Sequence, residues 1–183
     1  MQPIHTNHPD LQVILENELV KLVPLQDLDF EQLYALASDP LIWEQHPNKD
    51  RYQREVFEIF FKGAIESGGA YLILNKGSEE VVGSTRYYDY DPEKRSIFIG
   101  YTFVGRKFWG QGYNPSFKKL MIDYAFQFVD QVMFHIGAHN IRSQMAIGRL
   151  NAVKVGEVEV AYYGEVSKMN FVYRISKAGW SGI

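Results

Sequence analysis

The segment from Trp109 to Asn114 reads Trp-Gly-Gln-Gly-Tyr-Asn, and its composition is suited to binding an anion. A glycine-containing turn that opens a helix can direct several backbone N–H groups towards one ligand. The helix dipole adds partial positive charge at the same place. The chemistry that this segment predicts is therefore the binding of a phosphate-bearing ligand by main-chain amides.

A strand must precede this turn and a helix must follow it if the amides are to converge. Residues 95–104 are apolar on both faces, which is typical of a central strand. Because side chains alternate along a strand, we expect Ile97, Ile99, Tyr101 and Phe103 to share one face. The opposite face then carries Phe98, Thr102 and Val104.

The helix after the turn is predicted by apolar residues at helical spacing, which are Phe117, Leu120, Met121, Tyr124 and Phe128. This periodicity assigns Lys118 to another face of the helix. Val132 to Ile136 then reads as a second strand, so the unit is expected to be a right-handed crossover between parallel strands. Ligands of such units bind beyond the carboxyl ends of the strands, where the turn lies.

Two familiar phosphate motifs are excluded by the residues themselves. A dinucleotide fingerprint needs a third glycine three places after Gly112, and that place is Pro115. A Walker loop needs Gly-Lys-Ser/Thr, which occurs nowhere in the chain. The sequence therefore favours a different kind of phosphate-bearing ligand.

Composition narrows the function classes further. The chain has 183 residues, 46% of them apolar, which is enough for one domain with a sizeable core. A net charge of −3 without a basic run argues against a nucleic-acid surface. The lack of cysteine excludes disulfides, thiolate metal sites and a cysteine nucleophile, and the five scattered histidines predict no metal.

No apolar stretch approaches the ~18 residues of a membrane span. Residues 1–10 lack the apolar region of a secretory signal, so we expect a cytoplasmic protein.

The turn and a second block resemble the GNAT superfamily of N-acetyltransferases. The family's acetyl-CoA loop reads Arg/Gln-x-x-Gly-x-Gly/Ala, and Gly112 stands at the required glycine, although Trp109 and Asn114 depart from the general pattern. Trp-Gly-x-Gly-Tyr is similar to the branch of the ribosomal-protein alanine acetyltransferases. The block from His139 to Ala152 looks like that branch's Asn-x-x-Ser-x-x-Ala-x-x-x-Leu-Gly segment.

The resemblance implies an α+β fold, an α/β/α sandwich, for a single GNAT acetyltransferase domain over residues 1–183, with residues 1–12 irregular. Its sheet is expected to be mixed and mostly antiparallel, with about seven strands, of which the fourth and fifth are parallel and splayed. We also expect Asp27 to cap a first helix, and residues 51–67 to form a second helix with Val56, Ile59, Phe60 and Gly63 on one face. A terminal hairpin should turn around Gly164.

The resemblance also implies acetyl-CoA as co-substrate and assigns residues to it. Backbone N–H groups of Phe103 and Val104 would bind the acetyl end. The pyrophosphate would lie on the turn, which comprises Trp109, Gly110, Gln111, Gly112, Tyr113 and Asn114. Asn140 would contact the pantetheine arm. Capping of a helix is the commoner role for a residue such as Asn114, and it is compatible with ligand contact at Asn140. Packing against the helix explains Trp109 better than direct ligand contact does. Arg106 and Lys107 either attract the phosphates or form a solvated turn.

Catalytic residues are less clearly indicated. Ser143 stands where this branch has a serine proposed to protonate the thiolate, and it is as readily explained as a first-turn serine bonded to the backbone. Related proteins often carry glutamate at the place of Phe98, so a carboxylate base is missing. Tyr101 is a candidate for holding a water that takes the proton, together with Tyr87, Tyr88 and Asp89. His135 is either a base or a core histidine.

These residues predict transfer of an acetyl group from acetyl-CoA to a primary amine, by direct attack in a ternary complex. The acceptor is either a protein N-terminus or a small-molecule amine, and no nucleic acid or membrane partner is expected. Because Phe98 replaces the carboxylate, a non-catalytic acyl-CoA-binding sensor or scaffold module stays open as the alternative. Homodimers are common in the superfamily, and the sequence leaves both the oligomeric state and an acyl group larger than acetyl open.

Overall fold

The computed structural model describes residues 9–161 and 166–182, which form an eight-stranded sheet with helices on both faces. The strands are β1 (Leu15–Glu16), β2 (Val20–Pro24), β3 (Ala70–Asn75), β4 (Val81–Asp91), β5 (Ser96–Val104), β6 (Gln131–Gly137), β7 (Val153–Val160) and β8 (Lys168–Ser176). The helices are α1 (Phe30–Ala37), α2 (Arg54–Ser67), α3 (Tyr113–Ala125) and α4 (Ile141–Gly148).

The strand order is β1-β2-β3-β4-β5-β6-β8-β7, and every described pair is antiparallel except β5–β6. The predicted fold class is therefore confirmed. The additional strand is β1, whose two residues pair with β2. The predicted turn at Gly164 lies outside the described residues, as do residues 1–8 of the segment predicted to be irregular. None of the helices in the described ranges has both the length and the apolar character needed to cross a bilayer.

Two apolar cores hold the helices on opposite faces of the sheet. On one face α3 contributes Phe117, Met121 and Ile122, which pack on strand residues such as Ile97 and Ile99. The other core contains residues of α1 and α2 with Phe103 of β5, and aromatic rings dominate it. Burial of such rings removes a large apolar area from water. The central strands are therefore covered on both sides, as their apolar sequences predict.

The prediction that Tyr101 and Phe103 share a face of β5 with Ile97 and Ile99 is wrong, because the alternation of side chains changes after Gly100. The β4–β5 register shifts between Ser84 and Arg86, and Tyr101 has a φ of 51°. This bulge inserts one residue into β5 and reverses the side-chain alternation. Tyr101 and Phe103 consequently pack on the α2 side, whereas Thr102 faces α3.

Strand β5 separates from β6 soon after the two strands pair. Their parallel register covers three residue pairs, from Ser96 with Gln131 to Phe98 with Met133. Strand β5 continues to Val104 along β4, and β6 continues to Gly137 along β8. The carboxyl-terminal halves of the two strands are therefore open towards each other, which confirms the predicted splay.

Two details of the first helices differ from the prediction. Asp27 lies in a 3-10 turn, and Asp29 is the residue that accepts the Gln26 backbone N–H, at 2.8 Å. In α2 the buried face is formed by Phe57, Phe60, Phe61, Gly63 and Ala64, while Ile59 is exposed. The face is rotated because Phe57 and Phe61 pack against the Phe30 ring of α1.

Candidate functional site

The loop between β5 and α3 presents a run of unpaired amides. Gly110 and Gly112 have φ angles of 74° and 82°, a region that favours glycine, and Gly112 is the N-cap of α3. The Trp109 N–H donates to the Arg106 carbonyl at 3.1 Å. Within the described chain, the amides from Gly110 to Asn114 have no acceptor. Unpaired amides in a row at the start of a helix are suited to binding an anion.

Side chains of the loop hold its backbone in place. Trp109 Nε1 donates to the Val104 carbonyl at 2.9 Å, and the Tyr113 hydroxyl lies 2.5 Å from Asn75 Nδ2. Gln111 Nε2 donates to a carbonyl within the loop. The indole of Trp109 is also covered by the guanidinium of Arg142, 4.1 Å from the ring centroid. Trp109 therefore packs within the loop and against Arg142, and it also lines the cleft.

The cations near the loop fall into two groups. Arg106 pairs with Asp39, and Lys107 pairs with Glu80, so both basic residues of the predicted turn already have carboxylate partners. Arg142 of α4 and Arg149, which directly follows α4, also line the cleft, and neither was predicted as a site residue. Their position depends on how α4 packs, which no local pattern in the sequence encodes.

The open edge of β5 offers further main-chain groups. The Gly105 N–H donates to the Val82 carbonyl at 2.9 Å, and Val104 pairs with Gly83. Because antiparallel pairs alternate, the N–H and carbonyl of Val104 point away from β4. The bond from Trp109 Nε1 to that carbonyl agrees with this direction. The same alternation turns the N–H of Phe103 towards β4, and Phe103 itself is buried in the aromatic core.

The start of α4 faces the same opening. Asn140 Oδ1 accepts the Ser143 backbone N–H at 3.1 Å, so its predicted capping role is confirmed. The Ser143 hydroxyl makes no bond to the backbone in the described residues, and Ser143 lines the cleft. Asn114 does not cap α3, since Gly112 occupies the N-cap position without a side-chain bond.

These elements enclose a cleft of about 430 Å³ between β5, α3 and α4. It is lined by the loop glycines, Val104, Asn114, Asn140 and Ser143, and it leads inwards to a cavity of about 110 Å³ between the diverging strands. Thr102, Asn114, Asn140 and Ser143 line both spaces. All the predicted site residues except Gln111 and Tyr101 line the outer cleft, and Tyr101 lines the inner cavity.

Lys118 is the site residue that periodicity missed. Its side chain is buried in the wall of the inner cavity, and Nζ donates to Thr102 Oγ1 at 2.8 Å. The rings of Phe117 and Phe134 lie within 5.6 Å of Nζ. Burial lowers the pKa of Lys118 to about 7. A burial-driven shift of this kind is a recognised mark of a functional site, and in a lysine it favours the neutral amine.

The histidines of the inner cavity are already engaged. His135 Nδ1 lies 3.2 Å from the Tyr88 hydroxyl, its ring stacks on Phe98 at 4.3 Å, and burial lowers its pKa. His46 Nδ1 accepts the Asn48 N–H at 3.0 Å, and burial holds the pKa of His46 well below its usual value. No Asp or Glu of the described chain lines either space.

A loop of unpaired amides, an open strand edge and a channel between diverging strands form the kind of site that a long phosphate-bearing ligand requires. The Acetyltransferase (GNAT) domain family matches this chain over residues 20–153. The chain therefore belongs to the GNAT acetyltransferase family, and it is an acetyl-CoA-dependent N-acetyltransferase.

Solved structures share the fold at low sequence identity. A GCN5-related N-acetyltransferase from Brucella melitensis is 19% identical, with a TM-score of 0.79 over 92% of this chain and 80% of that chain. A spermidine N-acetyltransferase from Vibrio cholerae, in complex with CoA and spermine, is 13% identical, with a TM-score of 0.67 over 89% and 98%. A third, from Vibrio cholerae and described provisionally as a ribosomal-protein-serine acetyltransferase, is 13% identical, with a TM-score of 0.71 over 92% and 99%.

Gly112→Ala tests whether the left-handed N-cap orders the amides of the loop. We expect a loss of about 1–2 kcal/mol in the free energy of unfolding, since alanine is strained at this φ. We also expect acetyl-CoA affinity to fall about tenfold or more, measured by isothermal titration. Gly148→Ala is the control, because its added Cβ meets nothing within 4 Å and its φ is not positive. Unchanged affinity in Gly112→Ala would contradict this account of the loop.

Lys118→Met tests the burial of the amine through the pH dependence of stability. The pKa of Lys118 is about 7 in the folded protein and 10.5 as its ordinary value, so between them the unfolded chain binds more protons. The stability of the wild type therefore rises with pH across this window. Relative to wild type, Lys118→Met should be most stabilised near about pH 6 and should lose up to about 5 kcal/mol of that advantage by about pH 10.

Urea denaturation at several pH values measures this difference. Lys119→Met is the matched control, because Lys119 is partly exposed and pairs with Asp123 at 2.6 Å. We expect its stability difference from wild type to vary little with pH. A Lys118→Met curve that runs parallel to that of the wild type would show that the amine is not desolvated.

Proposed function

We propose that this acetyltransferase acetylates a primary amine by direct attack of the amine on acetyl-CoA within a ternary complex. The unpaired amides from Gly110 to Asn114 carry the proposal, because they lie at the mouth of a cleft that continues between β5 and β6. A diphosphate on these amides lets the pantetheine arm run inwards along the open edge of β5. The thioester then lies beside Val104 and the inner cavity.

The main chain and α4 supply the remaining contacts to acetyl-CoA. The free N–H of Val104 is directed into the opening and can donate to the acetyl oxygen, an interaction worth ~3 kcal/mol in the transition state. Asn140 holds the start of α4 against the pantetheine arm. Arg142 and Arg149 place positive charge on the outer wall, where the phosphates of CoA lie. No metal is required for this chemistry.

Transfer needs a neutral amine, a polarised carbonyl and a protonated thiolate. Ser143 faces the cleft with a hydroxyl that is not bonded to the backbone, which supports it as the proton donor to the departing sulfur. Tyr101 lines the inner cavity from the acceptor side, against Tyr88 at a ring distance of 5.0 Å, and there it can hold an ordered water. Both roles are parts of the proposal.

The acceptor is a protein N-terminus or a small-molecule amine. The Vibrio cholerae neighbours named above include a spermidine enzyme and one assigned provisionally to a ribosomal protein, so the fold is compatible with both classes. Among the described residues, the inner cavity is lined by Arg51 and two histidines and by no carboxylate. A polyamine carries several positive charges and is poorly matched to such a wall. We therefore place a peptide N-terminus ahead of a polyamine.

Two measurements test the proposal. Isothermal titration should detect binding of acetyl-CoA, and an acceptor panel of Ala-start and Ser-start peptides, single amino acids and spermidine should give CoA release detected as free thiol. We expect release that depends on a peptide and little with spermidine. Lack of acetyl-CoA binding at millimolar concentration would end the proposal. Binding without release for every panel member would leave a non-catalytic module as the better description of the site.

Ser143→Ala tests the assignment of the proton donor. We expect kcat to fall about 10- to 100-fold, with the Kd of acetyl-CoA within about threefold, because the hydroxyl acts on the sulfur as it leaves. Ser67→Ala is the control, since its hydroxyl donates to the Ala64 carbonyl at the end of α2. Equal turnover by Ser143→Ala and wild type removes Ser143 from the mechanism.

A further inference from the structure

We propose that Lys118 is a catalytic residue, the general base that takes the proton from the attacking amine. This inference rests on the proposed function, because it places the thioester between β5 and β6. It supplies the base that the sequence lacks at Phe98. It also assigns a chemical task to a residue whose type and helical position indicated an outward-facing lysine.

The position of Lys118 carries the proposal. The residue lies five places after the first residue of α3, which is roughly 7.5 Å along the helix from the anion-binding amides. Its Nζ is held by Thr102, two residues before Val104, and Lys118 lines the inner cavity together with Tyr101 and Ser143. A pantetheine arm that enters over the loop and follows β5 therefore brings its thioester to this amine.

The surroundings of Lys118 favour its neutral form. An ammonium group has three donors, and Thr102 Oγ1 is the one acceptor that Nζ contacts in the described chain. The pKa of about 7 arises from burial alone. A general base is most effective when its pKa lies near the working pH. The neutral amine has a lone pair for the proton of the substrate, and its N–H still donates to Thr102.

The other titratable and charged groups around the cavity come from several elements, and both histidines among them already make ring-nitrogen contacts. From β5 comes Tyr101, from β6 His135, and from the segment before α2 His46 and Arg51, while α4 contributes Ser143 without a charge. His135 and His46 use ring nitrogens in contacts with Tyr88 and the Asn48 amide. None of these described groups contributes to the lowered pKa of Lys118, which is set by desolvation.

The proposed acetyl transfer moves one proton to Lys118 and one proton from Ser143. The neutral acceptor amine forms a bond from its nitrogen to the acetyl carbon, and the nitrogen gives one proton to Nζ of Lys118. The C–S bond breaks, and the thiolate takes a proton from the Ser143 hydroxyl. Lys118 then releases its proton to solvent, and Ser143 recovers one from solvent. The net reaction is amine plus acetyl-CoA giving acetamide plus CoA thiol.

Lys118→Arg and Lys118→Met separate proton transfer from a structural role. Arginine keeps the charge and can still donate to Thr102, but it stays protonated and cannot act as a base. With acetyl-CoA and the panel peptide that turns over, we expect kcat to fall about 100-fold or more in both variants, with the acetyl-CoA Kd within about threefold. Lys119→Met should retain wild-type turnover, because Lys119 pairs with Asp123 away from the cavity.

The pH profile gives a readout that packing alone would not move. The wild-type rate should rise with pH through an ionisation near 7, and the residual rate of Lys118→Met should lack that ionisation. The proposal is overturned if Lys118→Arg works at the wild-type rate, or if the ionisation persists in Lys118→Met. Lack of acetyl-CoA binding by the wild type would instead refute the proposed function.

An acceptor-independent measurement covers the case in which no panel member turns over. The Nζ signal of ¹⁵N-labelled lysine, assigned by its loss in Lys118→Met, reports the charge of Lys118 directly. We expect it to be mainly neutral at about pH 8, and to shift differently when CoA and acetyl-CoA bind, because only the latter carries the thioester. A signal that stays protonated at that pH, or that responds identically to both ligands, would refute the role.

Discussion

The whole site depends on one constraint, which is that β5 and β6 pair over three residues and then separate. Both strands remain fixed by their other neighbours, β4 and β8, so the opening is a stable part of the sheet. An unpaired strand edge inside a protein is costly unless another partner satisfies it. In the proposed complex that partner is the pantetheine arm, and the amides at the start of α3 lie at the end of the same opening.

The bulge at Tyr101 divides the opening into two chemically different sides. One inserted residue turns Tyr101 and Phe103 towards α2 and turns Thr102 towards α3. The α2 side is aromatic and faces the acceptor in the proposed complex, whereas the α3 side holds the Thr102 hydroxyl and the amine of Lys118. A regular strand would have placed Thr102 on the α2 side, and Lys118 would then have had no acceptor. The backbone irregularity therefore creates the polar contact deep in the site.

The sequence predicted the parts of this arrangement that depend on local chemistry. Gly110 and Gly112 indicated the anion loop, alternation and helical spacing located the β5-α3-β6 unit, and Asn140 was recognisable as a cap. The resemblance supplied the splay and the mixed, mostly antiparallel character of the sheet. Features that depend on tertiary packing could not be predicted from the sequence. The apolar periodicity of α3 placed Lys118 on a face other than the buried one, as is usual for a charged residue. No local pattern reveals that this face of the helix lies over an opening in the sheet.

The replacement of a carboxylate by Phe98 and the burial of Lys118 fit one electrostatic argument. Burial disfavours the charged form of either kind of base, so it raises the pKa of a carboxyl group and lowers the pKa of an amine. An amine works as a base in its neutral form, which tolerates apolar surroundings. Phe98 packs against the ring of His135, with the ring centroids 4.3 Å apart, and His135 lines the cavity. In the proposed mechanism, the desolvation of Lys118 leaves its amine neutral near pH 7, with a lone pair that can accept the proton of the substrate.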